Sequence, residues 1–389
     1  MRTEVLVIGG GAAGIEVATA VRRAVPDHQV TLVAPDGELV YRPWLVYLPA
    51  GKLDVQALRL PMPPIASRSG FAFHRGDVGK LQLDQDQVVL ADGERIDYDY
   101  VVVAVGAPAD RARIPGAADH ALFPCEQADA QRFAQAVGEE PDGPVTVVAT
   151  GERIGPALEF AGWTARRLHR DHAPTDAQHV RLVDDNGALR RQFGRAAGKV
   201  AAVAASLGID VVGGTSVSEI TDGHLHLADG RSLASALTAL ATPLRGPGPE
   251  LGLPAAALDP HGFVIADPTL RLRAAANAFV VGDALRLHDV SPPLPKTWGM
   301  ARLQAATAAA NIAALLTSAD RPLVPLDLRR IRRLAALSMP DIGGRTVLVR
   351  KGRVLASGAW PLRLRYRLDR TYLRRYSPTP DTIPTPARL

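Results

Sequence analysis

A single cysteine, Cys125, is all the thiol chemistry in this chain of 389 residues. One cysteine excludes both an internal disulfide and a paired-thiol redox centre. Long apolar runs are missing as well. No stretch approaches the ~18 residues that a membrane-spanning helix needs. Strand-like sequence begins at residue 4 and leaves no room for a leader, so a cytoplasmic protein is expected. Acid is slightly short, with 40 Asp and Glu against 45 Lys and Arg, for a net charge of +5 and a pI of about 9.5. That balance favours anionic partners without choosing between nucleic acid and membrane. No aromatic RNA-binding motif accompanies the basic residues, which argues against nucleic acid. No metal site is expected. At 47% hydrophobic and 22% charged residues, the chain reads as globular and long enough for two or three domains.

What is present begins at residues 4–14, EVLVIGGGAAG. Val5 to Ile8 form a continuous apolar run, as in a parallel strand buried on both faces. Gly9, Gly11 and Gly14 follow at G-x-G-x-x-G spacing. The first permits a tight turn, the second lets a pyrophosphate approach the backbone, and the third lets the next helix pack closely. A helix predicted over Ile15 to Val25 would face the phosphates with its N-terminal NH groups. Strand, loop and helix in that order predict a dinucleotide site.

The second strand is predicted at Gln29 to Val33, but Ala34 stands where an acid would bind ribose hydroxyls. In Tyr41-Arg42-Pro43-Trp44, Arg42 suits either a pyrophosphate or flavin edge, or a surface beside a packed tryptophan. Leu81 to Leu90 and Arg95 to Asp97, joined through Asp92-Gly93, predict a hairpin. Tyr100 to Val105 predicts another buried strand, ending at Gly106. Val145 to Ala149, a loop from Gly151 to Gly155, and a helix over Pro156 to His169 then repeat the opening plan. A strand at Val180 to Val183 ends in Asp184, the place of a ribose-binding acid. The second loop, GERIGPALE, lacks G-x-G-x-x-G, and Glu152 would repel a pyrophosphate that Arg153 attracts. It reads either as a nicotinamide site or as a scaffold that has lost one. Residues 277–283, NAFVVGD, predict a strand ending in Gly282-Asp283, whose carboxylate suits polyol hydroxyls. Thr297 is placed to cap an alanine-rich helix over Ala301 to Leu316.

Two Rossmann-like α/β domains, each a parallel βαβ sheet with a hairpin, are therefore expected. The first comprises 1–110 and 255–320, the second 111–254, and a C-terminal extension 321–389. Within that extension Arg345 to Val354 predicts a hairpin turning at Lys351-Gly352. Residues 359–376, AWPLRLRYRLDRTYLRRY, carry six arginines against Asp369. Arg363, Arg367, Arg370 and Arg374 share a helical face, with Leu364, Leu368 and Tyr372 beside it. Leu362, Leu364, Tyr366 and Leu368 also alternate at the strand period, so helix and edge strand both remain open. A helix over 360–376 would suit peripheral contact with an anionic membrane; a solvated or oligomer-forming tail, as in a homodimer, is the alternative.

GGGAAG at 9–14, the duplicated plan, and NAFVVGDA at 277–284 together resemble the flavoproteins with two dinucleotide-binding domains. VTLVAPDGELVYRP (30–43) and PLPKTWGMARLQAATAAANI (293–312) look most like type II NADH dehydrogenases and sulfide:quinone oxidoreductases. The resemblance implies FAD held at its pyrophosphate by Gly9, Gly11, Ala12, Ala13 and Gly14. It implies Arg42, Pro43 and Gly106 near the flavin, Asp283 on the ribityl chain, and Lys296 and Thr297 at the pyrimidine edge. Glu159 matches an acid of the second-domain helix near flavin and nicotinamide, either a proton relay raised in pKa by burial or a surface carboxylate. NAD(P)H would meet Gly151 and Asp184. The expected activity is two-electron transfer from NAD(P)H or another small donor through FAD to an acceptor such as quinone. Sulfide or persulfide oxidation at Cys125, and a flavin-binding scaffold with little catalysis, are the alternatives. One cysteine departs from the sulfide enzymes, and the broken second loop departs from the NADH enzymes.

Overall fold

The computed structural model describes residues 2–51, 53–151, 154–169, 179–241, 243–318 and 321–377. Its contacts divide the chain into two units. The first comprises Met1–Val40, Leu60–Pro108 and Arg245–Arg332, and the second Tyr41–Arg59, Ala109–Leu244 and Arg333–Leu389. The segment 41–59 and the C-terminal stretch from Arg333 thus cluster with the second unit, and 245–254 with the first.

In the first unit, strand Arg2–Ile8 lies between Val30–Ala34 and Arg95–Val103, parallel to both. Val7 pairs with Leu32 on one side and Val102 on the other, and all three are fully buried. Strand Ala72–Arg75 extends the sheet beyond Val30–Ala34, while Ala278–Val280 joins Arg95–Val103 in parallel. The apolar run that identified the first strand is thus the centre of a sheet covered on both faces. Helix Ala12–Ala24 follows the glycine loop and packs along helix Trp298–Thr317. Arg302 on the second helix pairs with the nearly buried Glu16 on the first at 3.2 Å.

The hairpin before Gly106 differs from its sequence reading. Leu81 to Leu90 is not one strand but two, Val78–Gln82 and Gln87–Leu90, reversing through residues 83–86. Asp84 and Asp86 favour a turn, and Asp86 takes a left-handed φ of 49°. Arg95–Asp97 and Tyr100–Val103, read as separate pieces, form one nine-residue strand. Its start pairs antiparallel with Gln87–Leu90 and its remainder enters the parallel sheet.

The second unit contains a four-stranded parallel sheet in the order Ile209–Val212, Val180–Asp184, Val145–Ala149, Leu237–Ala241. Phe123, Val148, Val183, Ile220, Leu225 and Leu240 belong to the core that joins it to an antiparallel sheet, Val217–Thr221, His224–Leu227 and Ser232–Ala234. The C-terminal stretch adds a hairpin, Arg345–Arg350 and Arg353–Gly358, then one helix over Ala359–Tyr376. The edge-strand alternative for 359–376 is therefore excluded. The leucine alternation loses to a helical face on which Tyr366, Tyr372, Leu373 and Tyr376 are buried. Among the described residues no helix is long and apolar enough to cross a membrane.

Two glycines of the first loop are required by close approach. A Cβ at Gly14 would lie 1.9 Å from the Gly9 carbonyl oxygen. One at Gly9, whose φ is +115°, would lie 2.5 Å from that of Ala104. Neither neighbour is a side chain that can move aside. Gly14→Ala should therefore destabilise the fold by about 1–3 kcal/mol, the usual cost of overpacking. The urea unfolding midpoint should fall at constant m-value, and an unchanged midpoint would contradict this packing.

Candidate functional site

The first unit brings most of its predicted cofactor residues to one place. Gly9 to Gly14 run from the end of the central strand into the helix, with Gly11 as its N-cap. Ala104 and Val105, just before Gly106, lie against Gly9, and Gly282 lies against Ala13. Asp283 follows Gly282 in a short 3-10 turn. The loop fits a dinucleotide pyrophosphate by a direct test. A Cβ added at Gly11 would meet nothing within 4 Å, whereas Gly9 and Gly14 are hemmed in by backbone. Open space at the N-cap, in front of the helix's first NH groups, is what an anionic ligand requires.

Helix Trp298–Thr317 completes this face, and Thr297 is its cap, accepting from the Met300 N–H at 3.4 Å. The sequence reading missed Gln304, whose Oε1 accepts from the Gly282 N–H at 2.7 Å. A buried amide in an alanine-rich helix was the available signal, shared with Asn311 of the same helix. Gln304 fixes the turn that presents Asp283. Lys296 is buried, donates to the Leu285 carbonyl and lies 4.3 Å from the centre of the Phe263 ring.

The corresponding loop of the second unit is built differently. Ile154 caps helix Gly155–Leu168 as Gly11 caps the first helix. Counting from the caps, Ala157 stands for Gly14 and Glu159 for Glu16. Ile154 is almost fully buried, and its N–H is already taken by Gln192 Oε1 at 2.9 Å. Glu152 and Arg153, weighed against each other in the sequence, lie outside the described residues. Gly151 stands just before them with a φ of +81°. Asp184 accepts from the Leu189 N–H at 2.8 Å, so one of its carboxylate oxygens is committed to the first turn of the short helix Ala188–Phe193. Asp185 is spent on Thr150 and on the Val217 N–H.

Glu159 sits in a buried charge cluster that sequence reading did not foresee. Arg365, from the C-terminal helix, engages both its carboxylate oxygens, with Nη2 to Oε2 at 3.1 Å. The Asp341 N–H also donates to Glu159, and the Met339 carbonyl accepts from Arg365 at 3.0 Å. Asp369 lies 3.9 Å from the Arg365 Nε. It accepts from the Tyr41 hydroxyl at 2.8 Å and the Trp44 indole N–H at 2.9 Å. Tyr47 stacks edge-on between Trp163 and Tyr366. Burial pushes the Glu159 carboxyl up, opposed by the charge and hydrogen bonds of Arg365. Burial also disfavours charge on Arg365, but Glu159 and the neighbouring acids outweigh it and hold the guanidinium protonated. Glu159 is thus neither a surface carboxylate nor unpartnered.

Arg42 is exposed and Pro43 opens the 3-10 segment Arg42–Ala50, whose Trp44 is fully buried. Cys125 is half-buried in the turn closed by the Glu126 N–H on the Phe123 carbonyl. Among the described residues no three His, Cys, Asp or Glu side chains are grouped to hold a metal.

Removing one member of a buried ion pair leaves an uncompensated charge, at a cost of about 3–5 kcal/mol. Arg365→Met should show that loss, because Glu159 and Asp341 both lose their cation. Glu159→Gln should cost less, since Arg365 keeps Asp369 and the Met339 carbonyl. Urea unfolding followed by tryptophan fluorescence would check the order, and equal or reversed costs would contradict this electrostatic account.

With this geometry in hand, comparison with known proteins gives a consistent result. The profile of the pyridine nucleotide-disulphide oxidoreductase family matches residues 3–311. An NADH dehydrogenase-like protein of Mycobacterium tuberculosis is 28% identical over 301 residues, covering 74% of each chain. The sulfide-quinone reductase of Aquifex aeolicus is 28% identical over 171 residues, which span 41% of this chain and 38% of that protein. In structure, the sulfide:quinone oxidoreductase of Aquifex aeolicus superposes with a TM-score of 0.80 at 21% identity, covering 99% of this chain and 94% of that one. NDH2 of Plasmodium falciparum in complex with NADH gives 0.77 at 13%, covering 96% and 95%. The match over most of its length, on a duplicated dinucleotide-binding plan, makes this chain a member of the pyridine nucleotide-disulphide oxidoreductase family.

Proposed function

We propose that this chain is an FAD-dependent oxidoreductase that passes two electrons from a small donor to a quinone, and that NAD(P)H is a poor donor for it. The observation that carries the reading is the contrast between its two loops. The first unit keeps an open, glycine-lined N-cap at Gly11. The second fills the same position with buried Ile154 and occupies its N–H with Gln192. A side chain at that place keeps a pyrophosphate away from the backbone.

FAD bound in the first unit would supply the redox chemistry, the protein supplying position and electrostatics. Gly9, Gly11 and Gly14 would admit the pyrophosphate, and the Ala12–Ala24 helix would face it with unpaired N–H groups. Asp283, oriented through the Gln304–Gly282 hydrogen bond, would accept from polyol hydroxyls. The Thr297-capped helix would present its positive end to developing negative charge. A sulfide donor would have to use Cys125 alone, the chain's only thiol.

Peripheral contact with a membrane is part of this reading. Arg363, Arg367 and Arg374 are exposed on the C-terminal helix, together with Trp360 (61% exposed) and Leu368 (52%). A basic face with exposed apolar side chains suits a surface of anionic lipid.

The purified protein should be yellow with FAD, and anaerobic mixing should bleach it slowly or not at all with NADH and NADPH. Full reduction by NADH within seconds would overturn the poor-donor assignment. Gly11→Val should yield largely apoprotein whose unfolding midpoint matches that of the FAD-free parent, since its Cβ meets no protein atom. Retained FAD in that variant would remove the loop from the site. Vesicles rich in anionic lipid should bind the protein in a salt-sensitive way. Each of Arg363→Gln, Arg367→Gln and Arg374→Gln should weaken that binding by roughly 1 kcal/mol. Equal binding of the triple variant would exclude this face as the contact.

A further inference from the structure

A second concentration of positive charge lies elsewhere in the second unit. The C-terminal end of helix Ala188–Phe193 and the turn of the Arg345–Arg350/Arg353–Gly358 hairpin border an open cleft of about 660 Å³. Its charged lining is Arg191, Arg195, Arg350, Lys351 and Arg353, and no carboxylate lines it. The volume falls in the range of small-molecule sites, roughly 300–1,000 Å³. Two backbone segments meet at its floor, where a Cβ on Gly352 would lie 3.4 Å from the Arg195 nitrogen and the Phe193 carbonyl oxygen.

The hairpin itself is assembled against its local preferences. Arg350 and Arg353 are paired directly across its two strands, and like charges so placed repel. Lys351 adopts a left-handed φ of 48°, where asparagine or glycine is the relaxed choice. Among the described residues no acid pairs with Arg195, Arg350, Lys351 or Arg353. Arg191 is anchored to the Asn186 carbonyl, which carries no full charge. Four guanidinium groups and one ammonium therefore converge without neutralisation on one concave surface. Guanidinium forks match phosphate oxygens in geometry, and a multiply charged anion would relieve the cross-strand repulsion.

We propose that this cleft binds a diphosphate-bearing small molecule, with Arg195 and Arg353 as principal ligands and Arg191, Arg350 and Lys351 supplying the surrounding field. Leu355, 56% exposed at the rim, offers an apolar wall to the organic part of such a ligand. The assignment is independent of the redox reading, because none of these residues belongs to the flavin face or to the exposed face of the C-terminal helix.

The test is titration calorimetry of the intact flavoprotein with inorganic pyrophosphate at two salt concentrations. Binding should be saturable, tighter than for monophosphate, and weaker at high salt. Arg195→Gln/Arg353→Gln should weaken it at least tenfold with flavin content and circular dichroism unchanged. A charge-matched control, Arg329→Gln/Arg332→Gln, removes two exposed arginines of another helix and should bind as the parent does. Absence of pyrophosphate binding, or equal loss in both double variants, would overturn the site. Vesicles containing phosphatidic acid separate a lipid phosphate from a soluble one. If they bind through Arg195 and Arg353 and pyrophosphate does not displace them, the soluble ligand is excluded.

Discussion

The interaction on which the second unit most depends is one guanidinium placed among three carboxylates. Arg365 meets Glu159 on both oxygens, stands near Asp369, and lies in the field of Asp341. A buried charge is tolerated only when paired and hydrogen-bonded. This cluster meets that demand by drawing on elements far apart in sequence. Glu159 comes from the helix after the second loop, Asp341 from a short C-terminal strand, and Asp369 from the last helix. Asp369 also holds Tyr41 and Trp44, so the aromatic segment near residue 45 is tied to the C-terminus by hydrogen bonds as well as stacking. The C-terminal stretch is thus part of the second unit's interior rather than an appendage.

Against that fixed centre, the two nucleotide-type loops show how one supersecondary plan can serve different ends. Each has an apolar parallel strand, a glycine-bearing turn and a helix with an acid at the same distance from its cap. Where the first keeps Gly11, a ligand can reach the backbone. Where the second has Ile154, the N–H is satisfied internally by Gln192. The acids diverge in the same way. Glu16 pairs with Arg302 at 3.2 Å on the neighbouring helix, whereas Glu159 is enclosed with Arg365. The N-cap is open in one unit, and in the other its N–H is bonded internally.

The sequence made some of this legible and hid the rest for definable reasons. Local signals held: the apolar run at Val5 to Ile8, the glycine spacing after it, the Lys351-Gly352 turn and the Thr297 cap all depend on neighbours within a few residues. Signals that compete locally were harder to read. Leu81 to Leu90 is apolar enough for one strand, but Asp84 and Asp86 break it. In 359–376, leucine alternation and helical spacing coexist, and only the buried tyrosines decide between them. Contacts between distant residues were not legible at all. Nothing near Arg365 distinguishes it from five other arginines of its segment, because its role is set by Glu159, some 206 positions earlier. Gln304 was overlooked for the same reason, its partner being the backbone of Gly282.

The distribution of cations follows from the same division between inside and outside. A helix with six arginines cannot bury them all, since each needs its own anion or water. Arg365 is matched to buried acids, while Arg363, Arg367 and Arg374 are exposed on the opposite side of the helix. The hairpin that precedes this helix adds Arg350, Lys351 and Arg353, again without acids among the residues lining its cleft. In this C-terminal stretch, positive charge is compensated at the buried Arg365, whereas no carboxylate lines the cleft beside the hairpin. Exposed charge of one sign raises the local concentration of anions. The net +5 of the chain is not spread evenly, and its excess lies on surfaces that an anionic ligand can reach.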